Sequence, residues 1–275
     1  MLEVISWPKG ARCAALFTVN LDADQFWLGM FPDSITRPKT LSMGEYGIKR
    51  GLDRVLRTFS EYQIKTTFFV PGKVAEHYPE AIEKILAGQH ELAVHGHTHT
   101  SMHLLTAEQQ LEEMGNAREA LQKISGIAPL GFRAPEGELT LETLKLVKQC
   151  GFEYSSSLYG DDRPYTIDLE NGPLIEIPMH WELHDFPYFA FNYGPAFPIG
   201  QGRVASYDQV AKTYQREFEG YHHYGLAYVA QFTPQTIGSP GKIKILEDVL
   251  KHVTATKDLW IGTCKDLTDF YKGQI

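Results

Sequence analysis

The sequence predicts an α/β protein with a parallel sheet, and a closed or nearly closed (β/α) barrel in preference to an open sheet. Short apolar runs rich in β-branched or aromatic residues alternate along the chain with longer amphipathic stretches, the pattern of folds that place helices outside a parallel sheet. About seven or eight such units occur, which favours a barrel. The residues with functional chemistry follow the apolar runs, and active sites of barrels collect at that end of the strands.

The predicted strands are short, and their ends are marked by characteristic residues. The run CAALFTVNLD is a buried strand that ends in carboxylates, and KTTFFVPG is a strand stopped by Pro71 and Gly72. HELAVHG is the third strand, and Gly96 marks its end. In chain order, the strand-like runs cover residues 13–22, 65–72, 90–96, 130–135, 152–160, 226–232 and 259–264.

The predicted helices carry apolar residues at helical spacing and, in the clearest case, both end signals. The segment 106–126 opens on Thr106 as a cap, has acidic residues in its first turns and closes on Gly126. After residue 160 the helical pattern fades into a loop-rich stretch with Pro, Tyr, Phe and Trp, and it returns at residue 206. The helical segments cover residues 47–63, 78–89, 106–126, 140–151, 206–225 and about 241–253.

Composition excludes several classes of protein. The 275 residues carry a formal net charge of -8 with no Lys/Arg cluster, which argues against a nucleic-acid or anionic-membrane partner. No run approaches the roughly 20 apolar residues of a membrane-spanning helix. The N-terminus, MLEVISWPKGARCAALF, lacks the pattern of a secretory signal, and the three separated cysteines form no CxxC pair. We therefore expect a cytoplasmic protein.

A pair of carboxylates follows the first strand. Asp22 and Asp24 are spaced by two residues, so on an extended segment both side chains would point to the same side. Adjacent carboxylates repel each other, and a cation or a shared proton offsets that repulsion. The alternative is a solvated loop that caps the next element.

Histidines are concentrated in HELAVHGHTHTSMH, residues 90–103. A strand would place His95, His97 and His99 on one face, whereas a helix would align His95, His99 and His103. His95 and His99 can converge on a single ion in the second arrangement, and we expect His90 and His103 to be structural. Two neutral imidazoles and one carboxylate suit Zn²⁺ or another divalent transition metal, and three protein ligands leave positions open for water and substrate.

The motifs NLDAD, HGHTH and FRAPEG, in this order on alternating strands, resemble the polysaccharide deacetylase (NodB-homology) superfamily. The resemblance continues through TTFFVPG, YSSSLYGDD, IEIPMHWELHD and TPQTIGSPGK and so covers nearly the whole chain. It is strongest to the branch that contains intracellular-type peptidoglycan deacetylases, cyclic imide hydrolases and an allantoinase-like group. It implies one catalytic domain over residues 1–275, with a distorted (β/α) barrel of about seven strands and outer helices, which hydrolyses C–N bonds with a bound metal.

The resemblance also implies roles for particular residues. Asp24, His95 and His99 would be the metal ligands and Asp22 the general base that takes a proton from the attacking water. Arg133 would orient Asp22 through a charge-assisted pair and keep it ionised. Homo-oligomers such as tetramers are expected by the same analogy. We further expect Pro135 to shape its strand end and His97 to line the substrate pocket.

One position departs from the superfamily pattern. A late strand of the superfamily usually ends in His-Pro, and the histidine protonates the leaving nitrogen, but this chain has Thr233 there, before Pro234. Three explanations remain open. His184 or His180 substitutes for the missing donor, or the protein is an inactive metal- or ligand-binding module, or the leaving group needs less help. A cyclic imide expels a delocalised amide nitrogen, so Thr233 favours an imide-like substrate.

The remaining candidates concern the substrate pocket. Aromatic residues of the middle segment, Trp181, Phe186, Tyr188, Phe189, Phe191 and Tyr193, are expected to wall a small, largely apolar pocket. The stretch MGEYG adds a loop from which Glu45 or Tyr46 would reach the substrate. The leading prediction is a metal-dependent hydrolase of small cyclic imides or amides, and the alternative is an N-acetyl-sugar or peptidoglycan deacetylase.

Overall fold

The computed structural model of the chain describes residues 5–136, 138–193, 196–197 and 205–274. Its strands are β1 Cys13–Asn20, β2 Thr67–Val70, β3 Glu91–Val94, β4 Gly131–Phe132, β5 Tyr154–Ser155, β6 Tyr165–Ile167, β7 Leu174–Glu176, β8 Asn192–Tyr193, β9 Ala196–Phe197, β10 Ala227–Phe232 and β11 Leu259–Ile261. Its α-helices are α1 Gln25–Met30, α2 Pro38–Tyr46, α3 Leu52–Glu61, α4 Gly72–His77, α5 Pro79–Ala87, α6 Ala107–Ser125, α7 Thr143–Gln149, α8 Phe186–Phe189, α9 Tyr207–Tyr224, α10 Pro234–Ile237, α11 Ile243–Thr254 and α12 Cys264–Lys272.

Among the described residues the main sheet has nine strands, and β1 pairs with three of them. Its order is β10-β1-β2-β3-β4-β5-β7-β6, and β11 also pairs with β1. The ladders are parallel, apart from the antiparallel pair of β6 and β7. All eight residues of β1 are buried, because a strand in the middle of a parallel sheet is covered on both faces.

The sheet curves into a barrel that is open on one side, between β10 and the β6–β7 end. At that opening a single parallel bridge joins His184 to Gln231 of β10. This is the distorted barrel with surrounding helices that the sequence predicts, and the fold class is therefore confirmed. The opening matters for function because it brings the segment that follows β7 to the carboxyl end of β10.

Helices cover the outside of the sheet, and capping residues mark the ends of the longest one. A capping box between Thr106 and Gln109 starts α6, which ends at Gly126 in the left-handed conformation. In α3, the buried residues Leu52, Val55 and Phe59 lie at helical spacing. None of the helices in the described part of the chain is long and apolar enough to cross a membrane.

Several elements differ from the sequence-based prediction. The helix expected over 47–63 is preceded by α1 and α2, and a π-helical turn at Gly47–Gly51 joins α2 to α3. A further helix, α12, follows the last strand. The short antiparallel strand β6 and the β8–β9 hairpin lie in the stretch expected to be loops, because runs of two or three residues carry no readable period. The first four residues of the N-terminal segment lie outside the described residues.

Candidate metal and catalytic site

Three buried ligand groups meet at the carboxyl ends of β1 and β3. Asp22 follows β1 by two residues, His95 follows β3 directly, and His99 ends the turn beyond it. Among the described residues these three form one group, in which one ligand atom from each lies within 4.8 Å of the others. Oδ1 of Asp22 is 3.5 Å from Nε2 of His95 and 3.6 Å from Nε2 of His99. His95 and His99 thus lie close together, across a turn of the chain instead of one turn of helix.

The chemistry of this group fits a divalent metal. Oδ1 of Asp22 and both ring nitrogens of His99 are buried without a hydrogen-bond partner in the part of the chain that the structure describes, and buried polar atoms are rarely left so. Burial lowers the pKa of His99 to about 3, and it lowers the pKa of His95, with the neighbouring His99 as the next cause. Both imidazoles are therefore neutral, which is the form that binds a metal.

His95 is held in one tautomer. Its Nδ1 lies 2.9 Å from the carbonyl oxygen of Arg133, an acceptor only, so Nδ1 carries the proton. Its Nε2 therefore carries the ring lone pair, which accepts a hydrogen bond from Nδ2 of Asn20 at 3.0 Å. The hydrogen bond from Nδ1 to the Arg133 carbonyl fixes the orientation of the ring, and such a bond from the other ring nitrogen is typical of metal-ligating histidines.

His99 has an unusual backbone conformation with φ of 61°, a region that side chains other than glycine seldom occupy. Helix α1 packs directly on it: a Cβ at Gly29 would lie 2.5 Å from the carbonyl oxygen of His99. This close approach requires glycine at position 29 and holds the His99 turn against α1. The ring of Phe26, on the same helix, lies 5.7 Å from that of His99.

Arg133 acts differently from the prediction. It is 1% exposed, so it is not a surface ion-pair residue, and no ion pair with Asp22 is present among the described residues. Its Nη1 donates to Thr18 Oγ1 at 3.0 Å and to Asn20 Oδ1 at 2.9 Å, while Nε and Nη2 donate to the carbonyl and hydroxyl of Ser156. Arg133 therefore orients His95, through its own carbonyl and through Asn20, and influences Asp22 only through its charge.

The two aspartates do not share one face as an extended segment would require. Ala23 between them has φ of 50°, and Asp24 already has helical angles at the start of α1. The turn directs Asp22 to the histidines, whereas Oδ1 of Asp24 accepts a hydrogen bond from the Tyr78 hydroxyl at 3.3 Å. The structure thus groups Asp22, and not Asp24, with His95 and His99.

The electrostatic surroundings of Asp22 favour its protonated form in the absence of a cation. Burial raises the pKa of Asp22 well above its usual range, and the charges of Glu136 and Asp185 raise it further, while Arg133 and Gln235 lower it. Burial also raises the pKa of Glu136 and of Asp185 to about 7. Three carboxyl groups in one buried region need a positive charge to be ionised together.

His184 reaches the position left open by the missing histidine. Its Nε2 lies 3.5 Å from Oγ1 of Thr233 and 2.8 Å from Nε2 of Gln231, so the Gln231 amide donates to it. Burial lowers the pKa of His184 to about 3. His180, the other candidate, pairs instead with Asp162 at 2.9 Å.

Other predicted pocket residues divide into two groups. Tyr46 lines a cavity beside the site, and Pro135 is buried, with its Cγ against Gly96. His97 lies near Glu76, at 3.9 Å, away from the metal group. The expectations for Glu45 and Trp181 differ from the structure: Glu45 pairs with Lys49 on the surface, and Trp181 is 61% exposed, because the short helical turn that contains it faces outward.

A cavity of about 380 Å³ lies beside the metal group. It is joined to the group by aromatic contacts, because Phe186 packs on Phe26 with ring centres 4.4 Å apart and Phe26 packs on His99. The side chain of Tyr193 lies outside the described residues, and Tyr188 instead donates to the carbonyl of Glu182. The cavity is lined by Trp27, Ser42, Met43, Tyr46, Phe186, Phe189, Ala190, Phe191, Gln235, Thr236, Ser239 and Lys242. A larger cavity of about 450 Å³, beside Lys65 and Glu91, contains none of the predicted site residues.

The sequence-based prediction missed several residues of the site. Asn20 and Glu136 lie within NLDAD and FRAPEG, and Asp185 follows His184 directly, so adjacency to a motif was a usable signal for these three. Asp185 accepts from the Thr236 hydroxyl through Oδ2, and its Oδ1 has no hydrogen-bond partner among the residues described here. The same signal applied to Gln235, which lies within TPQTIGSPGK two residues after Thr233, whereas Trp27 lies in none of the motifs.

The open barrel and the ligand group at the carboxyl ends of its strands are typical of a barrel hydrolase that binds a divalent metal. Residues 42–155 match the family model described as polysaccharide deacetylase. A crystal structure of a "putative polysaccharide deacetylase" from Mycobacterium smegmatis is 31% identical, with a TM-score of 0.93 over 98% of this chain and 94% of that chain. A peptidoglycan deacetylase of Helicobacter pylori is 26% identical, over 93% of this chain and 95% of that protein. An allantoinase structure, at 22% identity and a TM-score of 0.85, shares the fold.

The chain belongs to the polysaccharide deacetylase (NodB-homology) family. It has the metal-dependent hydrolase fold of that family, whose members act on C–N amide bonds. Family members generally depend on a divalent metal, and the group of Asp22, His95 and His99 could hold one.

Proposed function

We propose that this protein hydrolyses a C–N bond of a small cyclic imide or amide. The observation that carries the proposal is the pairing of Thr233 with His184 where the family usually has a proton-donating histidine. As placed, Nε2 of His184 accepts a hydrogen bond from Gln231, so this nitrogen has no proton to give to a leaving group. A substrate whose leaving nitrogen is stabilised by delocalisation needs such a donor least.

In this proposal His95, His99 and a carboxylate of the Asp22–Asp24 pair would hold a divalent transition metal such as zinc. The metal, when bound, polarises the carbonyl and lowers the pKa of a water ligand from 15.7 towards about 7. Asp22 is the general base, and Asp24 is the third ligand. That role requires the Asp24 carboxylate to exchange its contact with Tyr78 for the metal.

The remaining steps concern protons and positioning. Asp22 takes a proton from the attacking water as the new C–O bond forms. The C–N bond then breaks, and the leaving nitrogen takes up a proton, which Asp22 is placed to return. The carbonyl of Arg133 keeps His95 in the tautomer whose lone pair is on Nε2, and the Asn20 amide, which donates to that nitrogen, would give it up to the metal.

The second candidate is deacetylation of an N-acetyl sugar such as a peptidoglycan unit. It is supported by the 26% identity to the Helicobacter pylori peptidoglycan deacetylase over nearly the full length of both chains. Expulsion of an amine requires protonation of nitrogen, so His184 must then turn its ring or change tautomer to act as the acid. The cavity of about 380 Å³ is at the small end of the range for ligand sites, which favours the small ring.

The test measures metal content and turnover together. Purified protein is assayed on succinimide, on hydantoin and on N-acetylglucosamine oligomers, and its metal is quantified. We expect ring opening by the wild type, loss of turnover with metal retained in Asp22→Asn, and loss of metal in Asp24→Asn and His99→Ala. His103→Gln is the matched control, because His103 bonds to Ser101 outside the site and is expected to change neither quantity.

The outcomes separate the possible errors. Metal loss in Asp22→Asn with retention in Asp24→Asn would exchange the two carboxylate roles. Deacetylation without ring opening would favour the second candidate, and in that case His184→Gln should abolish turnover. If the metal-loaded protein acts on neither class, the enzyme proposal fails and a binding module is the better description.

A further inference from the structure

Gln235 places an unpaired amide beside the metal group. It lies in α10, directly after Thr233 and Pro234, and both its side-chain oxygen and nitrogen are buried without a hydrogen-bond partner among the described residues. Its amide is directed at the Asp22 carboxyl, whose pKa it lowers, without reaching full hydrogen-bond geometry. A buried donor and acceptor left open side by side are costly, so a ligand is the natural partner for this pair.

The backbone of Gln235 is held rigidly. Gly47, in the π-helical turn between α2 and α3, approaches it so closely that a Cβ there would lie 2.9 Å from the backbone nitrogen of Gln235 and 3.0 Å from its Cβ. The same packing continues at Gly51, where a Cβ would collide with the carbonyl of Pro234. A polar group on a fixed support is suited to select among ligands by geometry.

Gln235 also lines the aromatic cavity, with Trp27 among its neighbours there. The indole nitrogen of Trp27 is a second buried donor without a partner among the described residues, although the side chain is only 3% exposed. The cavity thus combines apolar walls with one donor–acceptor pair and one additional donor. This set is complementary to a flat ring that carries two carbonyls and one N–H.

The geometry of amides distinguishes the two candidate substrate classes. A carboxamide side chain presents its N–H and its C=O on one edge, and it pairs with a group that presents C=O and N–H on one edge as well. An open-chain secondary amide, such as an N-acetyl group, is trans and points the two groups in opposite directions. A small ring holds its amide in the cis form, with both groups on the same edge.

We propose that Gln235 selects the substrate by pairing its side-chain amide with the cis amide edge of a small cyclic imide or lactam, with Trp27 donating to a second carbonyl. This inference rests on the proposed function, since it assigns the substrate class of the same site. In a cyclic imide the N–H lies between the two carbonyls, so pairing of Gln235 with the N–H and one carbonyl leaves the second carbonyl free to react beside Asp22.

Three small amides test the pairing on the metal-loaded protein by calorimetry or by competition. 2-Pyrrolidinone has a cis amide edge, N-methyl-2-pyrrolidinone lacks its N–H, and N-methylacetamide is trans. We expect wild type to prefer 2-pyrrolidinone over the other two by about tenfold to a hundredfold, the range for one bidentate amide pair. Gln235→Met should lose that preference, and Gln235→Glu, which keeps the shape but loses the N–H donors, should weaken 2-pyrrolidinone binding.

Gln209→Met is the matched control, because Gln209 is exposed on α9 and does not line the cavity, and it should retain the preference. Trp27→Phe should weaken succinimide, with two carbonyls, more than 2-pyrrolidinone, with one. Equal binding of 2-pyrrolidinone and its N-methyl form by wild type, or an unchanged preference in folded Gln235→Met, would overturn the inference.

Turnover distinguishes this failure from failure of the proposed function. If succinimide is hydrolysed but Gln235→Met leaves its KM unchanged, the selection role is wrong and the imide hydrolase proposal stands. If the preference for the cis amide is present without ring opening, Gln235 recognises such rings and the proposed reaction is wrong.

Discussion

Replacing Arg133 by methionine should destabilise the protein strongly and disturb His95 at the same time. The guanidinium makes four hydrogen bonds, to Thr18, Asn20 and two atoms of Ser156, at 2.8–3.0 Å, and its Cζ lies 3.8 Å from the centre of the Phe69 ring. Methionine preserves much of the apolar contact but leaves buried acceptors without donors.

The magnitude follows from these contacts. Each unsatisfied buried group costs about 1–3 kcal/mol, and loss of the guanidinium removes the donor from acceptors on Thr18, Asn20 and Ser156. We therefore expect the free energy of unfolding to fall by about 4 kcal/mol. For 275 residues, an unfolding entropy of about 2.1 cal/mol/K per residue converts this to a Tm lower by about 7 °C.

Thermal unfolding of the metal-loaded protein, followed by circular dichroism and calorimetry, measures this change. Arg118→Met is the control, because Arg118 is only partly buried and makes a single long bond, of 3.4 Å, to Pro129. We expect its Tm to stay within about 2 °C of wild type. An Arg133→Met protein with the Tm and metal content of wild type would refute the reasoning that this residue supports the site.

Three further predictions follow from other parts of the molecule. Burial lowers the pKa of His90 from 6.5 to about 4, so the unfolded chain binds more protons than the folded chain between these pH values. The stabilisation is complete above pH 6.5, and the free energy of unfolding falls by up to about 3 kcal/mol as the pH is lowered towards 4. Acid unfolding of His90→Gln should show a shallower loss of stability, and the same pH dependence as wild type would contradict this. Removal of metal by a chelator should abolish turnover and lower the Tm, both restored by zinc, since the metal binds only the folded site; a chelator-resistant activity would exclude the metal role. Thr106→Ala should destabilise α6 by about 1 kcal/mol in urea unfolding, because it removes the capping box, whereas an unchanged midpoint would show that α6 is held by packing alone.

Much of the fold was readable from the chain because long elements carry a strong period. The strand at 13–22, the helix from Thr106 to Gly126 and the helix at 206–225 appear in the structure as β1, α6 and α9 with bounds shifted by two residues or fewer. The short elements were not readable, since β4 and β5 have two residues each and their pairing is decided by neighbours from elsewhere in the chain.

The site was predicted in part for the same reason. His95 and His99 lie in one motif, and their convergence requires only a local turn. Asp22 and Asp24 do not point to the same side, in contrast to the prediction, because Ala23 between them adopts a left-handed conformation. The identity of an alanine gives no indication of that conformation. The predicted ion pair between Arg133 and Asp22 is also absent among the described residues, because the guanidinium donates its hydrogen bonds to oxygens of Asn20 and Ser156 instead.

By itself, the sequence determined the class of fold, the family and the residue types at the metal position, because these depend on period and on motifs within short stretches. Tertiary structure alone decided which carboxylate meets the histidines, that His184 lies beside Thr233, and that Trp27 and Gln235 line one cavity with Phe186. These contacts join segments separated by tens to hundreds of residues. They are set by the curvature of the sheet and the opening beside β10, and no local pattern in the chain encodes either of these.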